Sequence, residues 1–288
     1  MLYWTELYYH EWQVENSIKM TGGFLLGHLF PVTKIVRLER SLNTLGLRNS
    51  IKSFLRNTKK RLKLVLYRGK KRFCPVCGGH SRKFLSYGIN PRVDAQCPYC
   101  GALERHRLLA LFLKLREYLF EKTPQKMLHI APEQCLEPYF RDIFRDGYIS
   151  ADLHNPQAMI KMDITDIQYS KHFFDAIYCS HVLEHVDDDR LALSELYRVL
   201  KNDGWAIINV PITSERTYED PTIVDPQERK EKFGQGDHVR RYGPDFHQRI
   251  KEPGFIVEMI QTEDFVDDEI RNKVGLSLSN DTIFFCRK

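Results

Sequence analysis

The chain has no apolar run long enough to cross a membrane. The longest near its start, Gly22 to Val32, is broken by His28 and Pro31 and falls well short of the ~20 residues that a spanning helix needs. It also lacks the basic, apolar and small-residue succession of a secretory leader, so a cytoplasmic protein is expected. Acidic residues are missing between Ser41 and Val93, where fourteen Lys and Arg stand without an acid. The net charge of +5 therefore hides a basic segment, with 29 basic against 38 acidic residues elsewhere. An apolar content of 42% with 28% charged residues excludes wholesale disorder, and 288 residues suffice for one or two packed cores.

Cysteine is scarce but patterned. Four of the seven cysteines form two Cys-x-x-Cys-Gly turns, Cys74–Gly78 and Cys97–Gly101, with nineteen residues between Cys77 and Cys97. In a reducing compartment such pairs read as metal ligands, not disulfides. Two turns of this kind close a tetrahedron around one Zn2+, and because protein fills all four positions the ion is expected to be structural. Cys135, Cys179 and Cys286 read as small core residues.

These features divide the chain. Residues 1–47 form an extension without sustained periodicity. Over 48–72 apolar residues recur three or four apart among Lys and Arg, the pattern of a basic amphipathic helix. Such a helix suits a solvated face, an anionic membrane surface met peripherally, or a phosphate backbone. A zinc ribbon is expected over 73–102. From Leu103 onward helices and strands alternate: helix 102–119, strand 127–131, helix 133–144, strands 148–152, 160–163 and 174–180, helix 188–200, strand 205–210. Asn202-Asp203-Gly204 supplies the turn before the last of these, and strands are expected at 255–260 and 282–286. That order predicts an α/β, Rossmann-like, doubly wound and mostly parallel sheet covered by helices on both faces.

In such sheets ligands lie over the carboxyl ends of the strands. The residues there are His129, Ala131 and Glu133 after the first strand, Asp152 and Leu153 after the second, Asp163 and Ile164 after the third, and Ser180 and His181 after the fourth. Asp152, 23 positions after His129, is placed to accept hydrogen bonds from ribose hydroxyls. His181-x-x-Glu184-His185 is also the pattern of one class of zinc peptidases. Its position behind a buried strand and before Asp187-Asp188-Asp189 opposes that reading.

The run Phe174–Val186, followed by Glu195–Trp205, resembles the central signature of class I S-adenosylmethionine-dependent methyltransferases of the type 11 kind. Leu103-Glu-Arg-His-Arg107, Leu128–Glu133 and Asp237–Gly243 behind paired zinc knuckles resemble a bacterial subgroup with a zinc ribbon in front. The resemblance implies S-adenosyl-L-methionine as cofactor. By it Asp152 holds the ribose, Asp163 and Ile164 meet the adenine, and Ser180 and His181 flank the sulfonium. One departure stands out: the glycine-rich loop that usually follows the first strand is replaced by Ala131-Pro132-Glu133-Gln134-Cys135. Arg105 or Arg107 could then receive the methionine carboxylate as a fork.

His185, with His181 and Glu184, is the candidate proton acceptor, and the sequence leaves open whether a divalent metal assists there. Residues 211–246 are too long for an idle connection and read as a lid, with Tyr218, His238, Arg240 and Tyr242 facing substrate. The acceptor is expected to be a saccharide or small metabolite. The alternatives are RNA, held by residues 41–93 and the ribbon, and a non-catalytic binding module.

Overall fold

The computed structural model describes residues 65–88, 91–121, 125–276 and 282–288. The N-terminal extension and the basic helix as far as residue 64 lie outside them. Val65 and Leu66 are helical, the chain turns at Tyr67, and Arg72 already opens a strand, so the helix ends before 72.

Two hairpin-like pairs carry the cysteines: β1 (Arg72–Phe73) with β2 (His80–Ser81), and β3 (Leu85–Tyr87) with β4 (Arg92–Gln96), both antiparallel. Helix α1 (Glu104–Leu115) follows. Then come β5 (Met127–Ile130), α2 (Glu137–Phe144), β6 (Tyr148–Asp152), β7 (Ile160–Lys161), β8 (Phe174–Ser180), α3 (Asp189–Val199) and β9 (Leu200–Asn209). The segment after β9 contains β10 (Tyr218–Glu219), α4 (Pro226–Phe233) and β11 (Arg240–Arg241). The chain closes with α5 (Phe246–Lys251), β12 (Ile256–Ile260), α6 (Asp268–Val274) and β13 (Ile283–Arg287).

Seven strands form one sheet in the order β12-β13-β9-β8-β5-β6-β7. Among β7, β6, β5, β8 and β9 every pairing is parallel, and only β13 runs against its neighbours. Side chains alternate across each strand. Met127, Ala176, Tyr178 and Ile207 join α1 and α2 on one face, whereas Leu128, Ile177, Cys179 and Ile208 join α3 and α5 on the other. This is the expected mostly parallel, doubly covered sheet. The ribbon shares the first of these cores: Cys74, Val76, Phe84 and Cys97 pack with Leu108, Phe112, Val274 and Leu276. Among the described residues no helix is long and apolar enough to cross a membrane.

Several boundaries differ from those the sequence predicts: α1 ends at Leu115 and not at 119, and β7 at Lys161 and not at 163. Helix α2 starts at Glu137, with a proline in its first turn, so residues 131–136 are loop. Asn202-Asp203-Gly204 does not precede β9 but lies within it, where the β8–β9 register shifts. A Cβ on Gly204 would stand 2.9 Å from the Asp175 carbonyl oxygen, which explains glycine at that bulge.

Candidate active site

From β5 the chain winds outward to β6 and β7, then crosses to β8 on the other side. The crevice of this sheet therefore lies where β5 and β8 diverge. Both strands leave it through residues with left-handed backbone: Ala131 has φ 49° and His181 has φ 56°. A residue with a Cβ held there is strained. Ala131 thus makes, without glycine, the turn that the glycine-free loop requires.

Glu133 is the centre of that loop. An ionised carboxylate can only accept, so Nε2 of His129 donates to Glu133 Oε2 at 2.9 Å, and Nδ1 of His129 accepts from the Tyr148 hydroxyl at 2.9 Å. Nδ1 of His106 accepts from the Leu103 amide at 3.1 Å, and the Cys135 thiol lies 3.1 Å from the same nitrogen. Its protonated Nε2 then faces Glu133 Oε1 across 3.5 Å, too far for a good bond. Burial opposes ionisation of Glu133, but the nearby His106 imidazole and the bond from His129 outweigh it and bring the carboxyl down to about 2. Burial also holds His106 below the ordinary histidine value, despite Glu133. The arrangement is a fixed carboxylate beside a neutral imidazole.

Neither His129 nor Arg107 can meet the cofactor as the sequence predicts. His129 is completely buried with both ring nitrogens engaged, so it cannot touch a cofactor and acts only through Glu133. Arg107 is buried away from the crevice. Its guanidinium donates to the carbonyls of Val274, Ala95, Ala102 and Gly275 at 2.7–2.8 Å and lies over the Phe84 ring. It therefore joins ribbon, α1 and α6, with four of its five N–H donors spent on carbonyls away from the crevice. Arg105, two residues earlier, has no hydrogen-bond or ion-pair partner among the described residues, and its Nε is buried and unpaired.

Among the described residues seven buried side-chain polar atoms lack a hydrogen-bond partner, and five belong to residues of this crevice: Arg105 Nε, His106 Nε2, Glu133 Oε1, Ser180 Oγ and Glu184 Oε2. Unpaired buried groups are costly and point to a missing ligand. The donor set fits the methionine end of S-adenosylmethionine, which carries both an ammonium and a carboxylate, with Glu133 opposite the first and Arg105 opposite the second. Asp152 ends β6. Its Oδ1 accepts from the amides of His154 and Asn155 at 2.7 and 2.8 Å, which fixes the turn and leaves Oδ2 for a ribose. Leu153 is exposed beside it, and Ile164 is buried. Asp163 is held below the usual carboxylate range by the Thr165 amide and hydroxyl.

A cavity of about 470 Å3 opens beyond β8, lined by Arg105, His181, Glu184, His185 and His238, among others. His181 Nδ1 lies 3.4 Å from Glu184 Oε1. Burial, with His185 alongside, holds His238 below the ordinary histidine value. Of the four lid residues expected to face substrate, only His238 is free to do so. Tyr242 is fully buried, its hydroxyl 2.7 Å from Asp189 Oδ2. Arg240 borders the cavity, but its guanidinium donates to Glu219 and to the carbonyls of Leu183, Val186 and Asp187. Tyr218 stacks on Phe233 outside the lining. Arg240 and Tyr242 fasten the 211–246 segment to the turn after β8, and Arg249 completes that network through Asp189 and Glu219.

In the ribbon the two knuckles repeat one geometry. The amides of Gly78 and Gly101 bond back to the Cys74 and Cys97 carbonyls at 2.8 and 3.0 Å, with φ 68° and 81°. The sulfurs of Cys74 and Cys100 are 3.7 Å apart and those of Cys77 and Cys97 are 3.8 Å apart. A tetrahedron of sulfurs about 2.3 Å from a zinc ion has edges of about 3.8 Å.

His106 and Tyr148, which flank Glu133 and His129, carry no signal in the sequence that marks them as part of this candidate site. His106 lies inside Leu103-Glu-Arg-His-Arg107, where the arginines are the evident candidates.

Residues 135–208 match the model of a methyltransferase domain family, about a quarter of the chain. Among solved structures the chain is similar to an S-adenosylmethionine-dependent methyltransferase from Mesorhizobium loti, with 15% identity, 61% of this chain and 96% of that chain covered and a TM-score of 0.43. It is also similar to one from Archaeoglobus fulgidus, with 17% identity, 64% and 96% coverage and a TM-score of 0.38. No curated protein matches it in sequence.

Proposed function

We propose that this chain, which carries a methyltransferase domain, moves the methyl group of S-adenosylmethionine to a hydroxyl of a small acceptor held in the cavity beyond β8. The observation that carries this reading is the clustering of unpaired buried groups at the switch point, beside a cavity of about 470 Å3. That volume suits a small molecule. When bound, the cofactor supplies an electrophilic methyl on a sulfonium.

The chain's own residues bind, orient and take up a proton. Glu133, fixed by His129 and His106, receives the ammonium, and Arg105 receives the carboxylate. Asp152 accepts from the ribose, and Asp163 with Ile164 borders the adenine. His181 ends β8, with its Nδ1 toward Glu184, and its Nε2 takes the proton of the acceptor hydroxyl. Holding acceptor and cofactor in line supplies much of the rate. The lid, fastened through Arg240 and Tyr242, keeps water from the reacting atoms.

The ribbon holds one Zn2+ through Cys74, Cys77, Cys97 and Cys100. Because it shares the α1 core and is tied to α6 by Arg107, the ion supports the methyltransferase domain and is remote from the chemistry. Basic residues of the ribbon are partly neutralised within it: Arg72 pairs with Asp94 and Arg92 with Glu104. This favours the small-acceptor reading over RNA.

Calorimetric titration with S-adenosylhomocysteine tests the proposal. Binding is expected, and His181→Ala should leave it intact while lowering turnover on an accepted substrate by roughly 100-fold or more. Absence of binding would overturn the reading.

A further inference from the structure

Glu184 presents an anomaly that methyl transfer does not explain. Its side chain is 2% exposed, one oxygen faces His181, and the other, Oε2, is buried without a partner. A carboxylate removed from water this far needs a proton, a donor or a cation. Two imidazoles stand beside it. His185 follows directly in the turn after β8, and His238 arrives from the lid with 7% exposure. Their rings meet edge to face, with centroids 4.7 Å apart. One ligand atom from each of Glu184, His185 and His238 lies within 4.8 Å of the others.

The outer nitrogens are already placed. Nδ1 of His185 lies 3.3 Å from the Asp237 carbonyl and 3.3 Å from its carboxylate. Nδ1 of His238 lies 3.3 Å from the Phe233 carbonyl. A metal-ligating histidine characteristically gives its second nitrogen to a carbonyl or carboxylate, which fixes the ring and the tautomer. Here both rings do so, leaving Nε2 of each available. The lid is pinned at this point by its own backbone too, since the Val239 amide donates to the Glu184 carbonyl at 2.9 Å.

We infer that Glu184, His185 and His238 form a second metal site, for a divalent first-row transition ion such as Zn2+ or Mn2+. Two imidazoles and one carboxylate suit such ions and leave positions open, and the open side gives onto the cavity. The site joins the turn after β8 to the lid, so an ion there stabilises the closed lid. Its role in the reaction rests on the function proposed above. An acceptor hydroxyl reaching the open position would be polarised, its O–H bond breaking with the electron pair left on oxygen and the proton passing to His181 Nε2.

The test uses the full chain with its cysteine site loaded with zinc. Mn2+, which disfavours a site of four thiolates, is titrated and followed by electron paramagnetic resonance, with Zn2+ uptake measured separately. Wild type should take one further ion per chain. Glu184→Gln and His185→Asn should each weaken that uptake at least tenfold while keeping ribbon zinc and S-adenosylhomocysteine binding. His185 is partly exposed, so its replacement keeps the test valid if Glu184→Gln does not fold. No further ion in wild type, or undiminished uptake in His185→Asn, would overturn the inference. Loss of S-adenosylhomocysteine binding by wild type would instead strike the proposed function.

Discussion

Arg105 and Arg107 stand two residues apart on the same helix and belong to two different kinds of region. Around Arg107, where ribbon, α1 and α6 meet, the guanidinium donors have carbonyl partners. Around Arg105, at the strand ends, five polar atoms are buried without partners. Satisfied buried groups hold a fold together, whereas unsatisfied ones are retained at a cost that a ligand removes. The contrast separates structural from functional polar residues in a chain where both are buried and charged.

The sharpest break between the regions should come from the ribbon. Cys97→Ser removes one of four zinc ligands, and structural zinc contributes about 10 kcal/mol or more to small knuckles. Metal analysis should show zinc lost, and hydrogen exchange should show 73–102 and the adjoining α1 loosened, while wild type retains one zinc resistant to mild chelation. Next in size is Arg107→Ala. It leaves four buried carbonyls without their donor, and at about 1 kcal/mol or more each the loss should reach roughly 4 kcal/mol in denaturant unfolding. A stable Arg107→Ala protein would erase the distinction on the structural side.

Smaller effects sharpen the functional side. Glu133→Gln removes a charge-assisted bond of about 1.5 to 3 kcal/mol. It should therefore weaken S-adenosylhomocysteine at least tenfold but leave 5′-methylthioadenosine, which lacks the ammonium, nearly unchanged. Asp152→Asn keeps an oxygen for the His154 and Asn155 amides and removes the charge. It should weaken both ligands by about tenfold, since both carry the ribose and 1.4 kcal/mol is a factor of ten.

The smallest effect is one of pH. His106 is held below its ordinary 6.5 by burial, so the unfolded chain takes up its proton more readily than the folded one. Stability should be unaffected by His106 above pH 6.5 and decline as pH falls below it. Glu133, with its carboxyl at about 2, acts oppositely on sign of charge but loses its contribution only as pH falls below about 4.5. Melting temperatures between pH 7 and 5 should fall in wild type and fall less steeply in His106→Gln.

Much of the frame was legible because its signals are local. The buried runs Met127–Ile130 and Phe174–Ser180 can be read as parallel strands without knowing their neighbours. The two Cys-x-x-Cys-Gly turns likewise carry their geometry in five residues apiece. What failed depended on distant partners. Nothing near Arg107 reveals that carbonyls 167 and 168 positions away would engage it, and nothing near His129 tells of Tyr148. Arg240 and Tyr242 differ from their expected role because a polar residue in a long connecting segment can fasten that segment as well as face a substrate. Asn202-Asp203-Gly204 reads as a turn by composition, yet the sheet absorbs it as a bulge.

Of the unpaired groups at the strand ends, those of Arg105 and Glu133 receive the methionine end of the cofactor. Calorimetric titration of Arg105→Ala with S-adenosylhomocysteine tests it most directly, with 5′-methylthioadenosine as the control that lacks the carboxylate. The account predicts an unchanged melting temperature, at least tenfold weaker S-adenosylhomocysteine binding and an unchanged affinity for the control. If Arg105→Ala binds S-adenosylhomocysteine as tightly as wild type, the assignment of these groups to the cofactor is wrong.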